Sequence, residues 1–184
     1  MNILIISSSS KDIDEKYLEL TKEIADCLAS KEFDLVFGCC SNSMMGICYN
    51  EFTKYGRTIY SFTTGKYKDD IFNLPLATSH IKETTFDLKK ALFEKSDLIL
   101  CLPGGVGTLS EVLSFIEEDR SNEKHVPIII YNANNYYDSL FKQLEFMKSE
   151  KFLYDDISSL VYVIDDYDKF SSKIDEFIEK KGKN

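Results

Sequence analysis

The chain alternates between two hydrophobic patterns from its first residues to its last. Short and nearly continuous apolar runs are typical of strands that are covered on both faces of a parallel sheet. Longer segments with apolar residues three or four positions apart are typical of amphipathic helices. The two kinds of segment follow one another in turn, which predicts an α/β fold: a doubly wound, mostly parallel sheet flanked by helices, Rossmann-like in type.

The apolar runs predict the strands, and the segments between them predict the helices. Strands are expected at 2–6, 33–37, 57–62, 97–102, 126–131 and 160–164. Helices are expected at 17–28, 44–55, 86–94, 109–116, 136–147 and 167–181, and the polar segment 63–73 is predicted to be a loop. Because 184 residues fit one domain of this kind, we expect a single nucleotide-binding α/β domain over 1–184.

The segment from Pro103 to Glu111 reads PGGVGTLSE and joins a predicted strand to a predicted helix. Closely spaced glycines let backbone N–H groups approach an anion, and Thr108 adds a hydroxyl at the positive end of the helix dipole. The same residues also suit a simple tight turn in which Glu111 is a capping partner for Thr108. The strand, glycines, threonine and glutamate occur together, which favours a phosphate site. Its predicted members are Gly104, Gly105, Val106, Gly107 and Thr108.

Two further loops are expected to join this site, because ligands of such sheets bind beyond the carboxyl ends of the strands. One is the serine run 7–10, in which Ser8 and Ser9 are predicted to contact the ligand. These serines are alternatively caps of the first helix, as are the aspartates that follow them. The other loop is 38–43, and Gly38 and Met45 are its predicted ligand contacts.

The charge and the cysteines narrow the classes of function. A net charge of −9 argues against a nucleic-acid partner. Five cysteines, an odd number without a C-x-x-C pair, indicate reduced thiols in a cytoplasmic protein. No apolar run is long enough to span a membrane, so no membrane partner is expected. We expect no metal, because the acidic run 117–119 is better explained as a solvated helix end. We expect no cofactor, because nothing in the chain singles out a Schiff-base lysine for pyridoxal phosphate.

The glycine motif resembles that of the lonely-guy (LOG) family, the cytokinin-activating phosphoribohydrolases once labelled lysine decarboxylases. PGGVGTLSE matches the family pattern P-G-G-x-G-T-x-x-E at every fixed position. Residues 135–140, NYYDSL, are similar to its G-Y-Y-D-x-L segment, and 35–38 with 44–46 resembles its V-Y-G-G-G…L-M-G stretch. The resemblance covers most of the chain. It implies hydrolysis of the N-glycosidic bond of a nucleoside 5′-monophosphate, which releases free base and ribose 5-phosphate, and it implies a homodimer or higher homo-oligomer.

Two regions depart from the family pattern. The family carries an Arg-Lys pair on the helix before the motif, and its Arg binds substrate and acts in catalysis. An ungapped alignment puts Leu88 and Lys89 at these positions, and a one-residue gap puts Lys89 and Lys90 there, so no alignment restores the Arg. The loop at 38–43 also carries two cysteines where the family has glycines, and Ser43 where the family usually has Gly.

The resemblance makes Glu111 the predicted catalytic carboxylate, because glycosidic cleavage passes through a ribosyl cation-like state that a carboxylate stabilises. Lys89 is predicted to assist catalysis and Lys90 to bind substrate; the alternative for both lysines is a solvated helix face. The alternative function is a non-catalytic module that binds or senses a nucleotide with the same fold, which the missing Arg favours. Base exchange between nucleosides is a third reading of the motif.

Overall fold

The computed structural model describes residues 1–121 and 124–182, in which strands and helices alternate. The strands are β1 (Asn2–Ile6), β2 (Asp34–Gly38), β3 (Ile59–Thr64), β4 (Thr78–Lys82), β5 (Leu98–Cys101), β6 (Ile128–Tyr131) and β7 (Tyr162–Ile164). The helices are α1 (Glu15–Ser30), α2 (Ser43–Lys54), α3 (Thr85–Lys95), α4 (Val106–Ser121), α5 (Asp138–Ser149), α6 (Ile157–Leu160) and α7 (Tyr167–Lys181). Two 3-10 helices span Gly65–Asn73 and Ala133–Asn135.

The strands form one sheet in the order β4-β3-β2-β1-β5-β6-β7, and every neighbouring pair is parallel. The chain winds outward from β1 in one direction through β2 to β4, and then returns to the other side of β1 with β5. The strand order therefore reverses between β1 and β5, which is where sheets of this type open a crevice for ligands.

Alternate side chains of the central strands build two hydrophobic cores, one on each face of the sheet. In β1, Ile3 and Ile5 pack against residues of α1, α2 and α7, whereas Leu4 and Ile6 pack against residues of α3 and α4. All four residues of β5 are buried. Because helices cover both faces, these strands appear in the sequence as nearly unbroken apolar runs.

The predicted fold class is confirmed, and every strand pairing is parallel. Three short elements were not predicted: β4, α6 and the 3-10 helix at Ala133–Asn135. β4 is an edge strand with mostly exposed side chains, so it lacks the apolar run by which the other strands are recognised. α6 has four residues, too few to show a helical period. The predicted loop at 63–73 is wrong in part, because Gly65–Asn73 forms a 3-10 helix. Within the described ranges, no helix is both long enough and apolar enough to cross a membrane.

Candidate active site

A cleft of about 560 Å³ opens at the carboxyl ends of β1, β2 and β3, beside the start of α4. It brings together most of the predicted ligand contacts. Those that line the cleft are Ser8, Ser9, Gly38, Met45, Gly105, Gly107, Thr108 and Glu111. Four predicted residues do not line it: Lys89, Lys90, Gly104 and Val106.

The glycines of the PGGVGT loop are required for two different reasons: close packing within the loop and exposed backbone at the cleft. A Cβ atom added at Gly104 would stand 2.1 Å from Thr108 Oγ1 and 2.7 Å from Thr108 Cβ, so only glycine allows the loop to pack this closely. Gly105 and Gly107 face open space, with no atom within 4 Å of an added Cβ. Their bare backbone borders the cleft at the first turn of α4, where the helix dipole favours an anion. Val106 lies between them with its side chain 84% exposed.

Ser7 adds an unpaired hydroxyl to this end of the cleft. Its backbone carbonyl accepts a hydrogen bond of 3.3 Å from Thr108 Oγ1, which fixes the end of β1 against the start of α4. The side chain is only 3% exposed, and its Oγ has no hydrogen-bond partner among the described residues. Buried hydroxyls are normally paired, so this donor, at the rim of the glycine loop, suits a bound anion.

The serines at 7–10 do not cap α1, which settles one alternative left open by the sequence. The N-cap of α1 is Asp14, whose carboxylate accepts a hydrogen bond of 3.1 Å from the backbone N–H of Lys16. Ser8, Ser9 and Ser10 line the cleft instead.

Two tyrosines of the NYYDSL segment hold the glycine loop in place. The Tyr136 hydroxyl donates to the carbonyl of Gly104 at 2.8 Å, and the Tyr137 hydroxyl donates to the carbonyl of Leu102 at 2.7 Å. Asn132 fixes the second tyrosine, because its side-chain oxygen accepts from the Tyr137 backbone N–H at 2.7 Å. Tyr137 itself is buried. The segment therefore supports the site from outside the cleft.

Glu111 lies one turn into α4 and faces the cleft. Burial raises the pKa of its carboxyl to about 7, and the positive charge of Lys89 opposes that rise. In the described part of the chain, no residue donates a hydrogen bond to this carboxylate. The capping alternative is therefore not what the structure shows: Thr108 pairs with Ser7, and Glu111 stays free to act on a ligand.

The lysines of α3 are directed away from the cleft. A capping box between Thr84 and Asp87 fixes the start of this helix. Lys89 Nζ donates to the Ser110 carbonyl at 3.0 Å, and to two serine hydroxyls of α4 at 2.8 and 2.9 Å. Lys90 is exposed, with its Nζ 3.8 Å from Glu94. Leu88, the residue that the ungapped alignment pairs with the family Arg, lines the cleft instead.

The loop after β2 is shaped by one required glycine and one strained serine. A Cβ added at Gly46 would lie 2.2 Å from the carbonyl oxygen of Ser41, so this position needs glycine. Ser43 has a φ of +56°, a left-handed conformation that favours glycine, and its buried hydroxyl has no partner among the described residues. The Ser at this departure from the family pattern therefore adopts the backbone conformation that Gly adopts most readily.

The cleft also contains several residues that the sequence pattern did not predict. They come from β3, from the 3-10 helix that follows it and from the start of α3, and include Phe62, Thr63, Thr64, Tyr67, Asp70 and Thr85. The available signal was positional: residues 62–64 form the carboxyl end of β3, which pairs with β2, and Tyr67 and Asp70 follow it. Among the described residues, the cleft is lined by two carboxylates, Asp70 and Glu111, and by no Lys or Arg.

Comparison with known proteins identifies the family. A family model described as "Possible lysine decarboxylase" matches residues 45–174, well over half of the chain. A cytokinin riboside 5′-monophosphate phosphoribohydrolase of Rhodococcoides fascians is 26% identical over 157 residues, which cover 82% of this chain and 77% of the relative. The corresponding enzyme LOG of Oryza sativa subsp. japonica is 22% identical over 177 residues, which cover 96% of this chain and 73% of the relative.

The chain belongs to the LOG family. Solved structures agree on the fold: the Moco carrier protein of Chlamydomonas reinhardtii superimposes with a TM-score of 0.69 at 16% identity, covering 97% of this chain and 98% of that one. The molybdenum cofactor binding protein of Rippkaea orientalis does so with a TM-score of 0.59 at 15% identity, covering 97% and 94%. The LOG family fold therefore occurs in proteins named as enzymes and in proteins named as carriers.

Proposed function

We propose that this LOG family member is a nucleoside 5′-monophosphate phosphoribohydrolase, which cleaves the N-glycosidic bond to give free base and ribose 5-phosphate. One observation carries the proposal: an unpaired carboxylate, Glu111, lies in the same cleft as the bare glycine loop and one turn beyond it. A 5′-phosphate at Gly105 and Gly107 would bring the ribose, and with it the anomeric carbon, beside Glu111. The names of the relatives support the same reaction.

The proposed mechanism uses the phosphate as an anchor and Glu111 at the reacting bond. As the bond between C1′ and the base nitrogen breaks, positive charge develops on the ribose ring, and the carboxylate stabilises it. Glu111 then accepts a proton from the water that attacks C1′ and returns it to the departing base, so that the hydroxyl of the water ends on C1′, its proton ends on the base, and one water is consumed for each bond cleaved. Because its pKa is about 7, the carboxyl can both accept and return a proton near neutral pH.

Lys89 has an indirect part in this mechanism. Its Nζ is held by Ser110 and Ser114 on the same helix as Glu111, outside the cleft. Its charge lowers the pKa of Glu111 against the effect of burial and so keeps more of the carboxyl ionised. Lys89 is therefore a positioning residue in the proposal, and Lys90 has no role in it.

The test is to incubate the protein with adenosine, inosine, guanosine and cytidine monophosphates and to separate free base by chromatography. Base release should fall at least about a hundredfold in Glu111→Gln, which keeps the size of the side chain and removes its charge. Glu19→Gln, on an exposed face of α1, is the matched control and should retain full activity. Release that is equal in the two variants would contradict the assignment of Glu111.

A second candidate function is a carrier or sensor that binds a phosphorylated ligand without cleaving it. The observation that favours it is that an apolar side chain, Leu88, lines the cleft and that no Arg does so among the described residues. A structural neighbour named a Moco carrier protein is consistent with this reading. Binding of an intact nucleotide with no free base over many hours would favour this second function over hydrolysis.

We also propose that the protein is a homodimer and that it is cytoplasmic, where its five free thiols stay reduced. The proposed dimer face is the groove between α3 and α4, where Phe86 is 84% exposed and Leu113 is 42% exposed. Phe86→Ser should give a monomer by light scattering. Phe152→Ser, at a residue 83% exposed after α5, should leave the dimer intact. A wild-type monomer at working concentration would contradict this proposal.

A further inference from the structure

The second carboxylate of the cleft belongs to Asp70, in the 3-10 helix that follows β3. Asp70 is half-buried, and it forms no hydrogen bond or ion pair with another residue in the described ranges. Burial raises the pKa of the neighbouring Cys39 thiol, and the negative charge of Asp70 adds to that rise. An acceptor with two free oxygens therefore faces the cleft, and nothing in the described part of the chain uses it.

The sheet places this carboxylate at the opposite end of the cleft from the glycine loop. The loop follows β5, and the 3-10 helix follows β3, with β1 and β2 between them in the sheet. Three strand spacings of about 4.8 Å separate the two ends by about 14 Å. A mononucleotide whose phosphate lies at Gly105 and Gly107, and whose ribose lies near Glu111, therefore extends its base toward Asp70.

The side chains around Asp70 suit a flat aromatic ring. Phe62, Tyr67 and Met45 line the cleft. Phe62 is buried and stacks on His80, whereas Tyr67 is 53% exposed, with Lys66 Nζ 5.1 Å from its ring centroid, so Tyr67 is the ring that a ligand can reach. Met45 also covers Gly38, because its Cε lies 3.4 Å from where a Cβ of that glycine would be. Apolar side chains contact the faces of a ring, and a single carboxylate beside them fixes which polar edge of the ring points toward it.

We propose that Asp70 is a specificity-determining residue that selects a base with two adjacent N–H donors, as on the Watson–Crick edge of guanine. The proposal rests on the proposed function in one respect, namely that a nucleotide occupies the cleft. A carboxylate accepts two parallel hydrogen bonds and donates none. Guanine offers N1–H and N2–H₂ side by side, whereas adenine offers one amino group next to an acceptor nitrogen, which a carboxylate repels.

The proposal predicts an order among three purine nucleotides. Guanosine monophosphate makes both hydrogen bonds to Asp70, inosine monophosphate makes the one from N1–H, and adenosine monophosphate makes no matched pair. Each hydrogen bond to a charged group should lower the dissociation constant about tenfold, so neighbouring nucleotides in this series should differ by that factor. The order is measured as dissociation constants with Glu111→Gln, which is expected to bind substrate without consuming it.

The decisive variant is Asp70→Asn, because an amide presents one acceptor and one donor and so matches adenine better than guanine. It should weaken guanosine monophosphate binding at least tenfold and strengthen adenosine monophosphate binding. Asp69→Asn makes the same change of charge at an exposed neighbour that does not line the cleft, and it should leave both constants unchanged. Circular dichroism and a melting curve show whether each variant is folded.

A deoxyribose substrate separates base recognition from ribose recognition. If Asp70 binds the base, Asp70→Asn weakens guanosine and 2′-deoxyguanosine monophosphate by the same factor. A loss confined to the ribonucleotide would mean that Asp70 binds the 2′-hydroxyl, and it would overturn the proposal. Equal affinity of the Glu111→Gln protein for the guanine and adenine nucleotides, or no affinity for either, would also overturn it.

These readouts do not depend on hydrolysis. Tight and Asp70-dependent binding of guanosine monophosphate without base release would refute the phosphoribohydrolase and leave the specificity intact. Base release with no preference among purines would support the phosphoribohydrolase and refute the specificity assigned to Asp70.

Discussion

Replacing Glu111 with glutamine should stabilise the protein above neutral pH and have little effect in acid. Burial raises the pKa of this carboxyl from its ordinary value of 4.5 to about 7 in the folded state. Between these two values the unfolded chain has lost the proton and the folded chain still holds it. The free energy of unfolding therefore falls as the pH rises through this window, and the loss is complete above pH 7.

The size of the effect follows from the same two values. One pKa unit corresponds to 1.36 kcal/mol, so the ionised Glu111 costs the folded protein about 3 kcal/mol at pH 8 and less than about 1 kcal/mol at pH 5. Glutamine does not titrate, and every other group is common to both proteins. The stability difference between Glu111→Gln and the parent should therefore grow by about 2.5 kcal/mol from pH 5 to pH 8.

Urea unfolding at the two pH values measures this difference. With a slope of about 2 kcal/mol per molar urea, the variant should unfold at a midpoint more than about 1 M above the parent at pH 8. Glu19→Gln, at an exposed glutamate, should show the same difference from the parent at both pH values. A constant difference for Glu111→Gln across the pH range would refute the reasoning, because it would mean that burial does not perturb this carboxyl.

Three further results are expected. If the ionised carboxylate of Glu111 is the active form, kcat/KM should rise about tenfold per pH unit below pH 7 and level off above it. A kcat/KM that falls as the pH rises would contradict this. Gly104→Ala brings a methyl group against Thr108 and should lower the free energy of unfolding in urea by about 1–3 kcal/mol. Gly107→Ala, whose methyl group enters open space, should unfold like the parent and bind inorganic phosphate more weakly, as measured by calorimetry. Leu88→Arg restores the family's residue type in the cleft and should tighten nucleotide binding at least about tenfold, and unchanged affinity would mean that the guanidinium does not reach the ligand.

The parts of the site that the sequence predicted are those fixed by backbone geometry. The glycine loop, the helix that follows it and Glu111 could be placed because strand, glycines and helix are contiguous in the chain. Asp70 could not be placed in this way. It follows a strand recognised from its apolar residues, but its own segment is polar and shows no period, and the fold brings it to the cleft only through the pairing of β2 with β3.

The sequence also could not predict which side chains point into the cleft. Lys89 and Leu88 are adjacent on α3, and the sequence alone left open which of them faces the ligand. The answer depends on how α3 packs on α4, where Ser110 and Ser114 supply three acceptor atoms for the Lys89 ammonium. The tyrosines at 136–137 are a similar case, because their hydroxyls reach backbone carbonyls at 102 and 104, more than thirty residues earlier in the chain.

The hydrogen bond from Thr108 to the carbonyl of Ser7 has a consequence for how the protein folds. It joins two residues 101 positions apart and spans the point where β5 inserts beside β1. Contacts of such long range form slowly, because the closure entropy of the intervening chain must be overcome first. The cleft is complete only after β5 has paired with β1 and brought the glycine loop beside the ends of β1, β2 and β3, so a refolding chain should gain nucleotide binding only in its slowest phase. A nucleotide added during refolding would then trap the finished fold without hastening its formation.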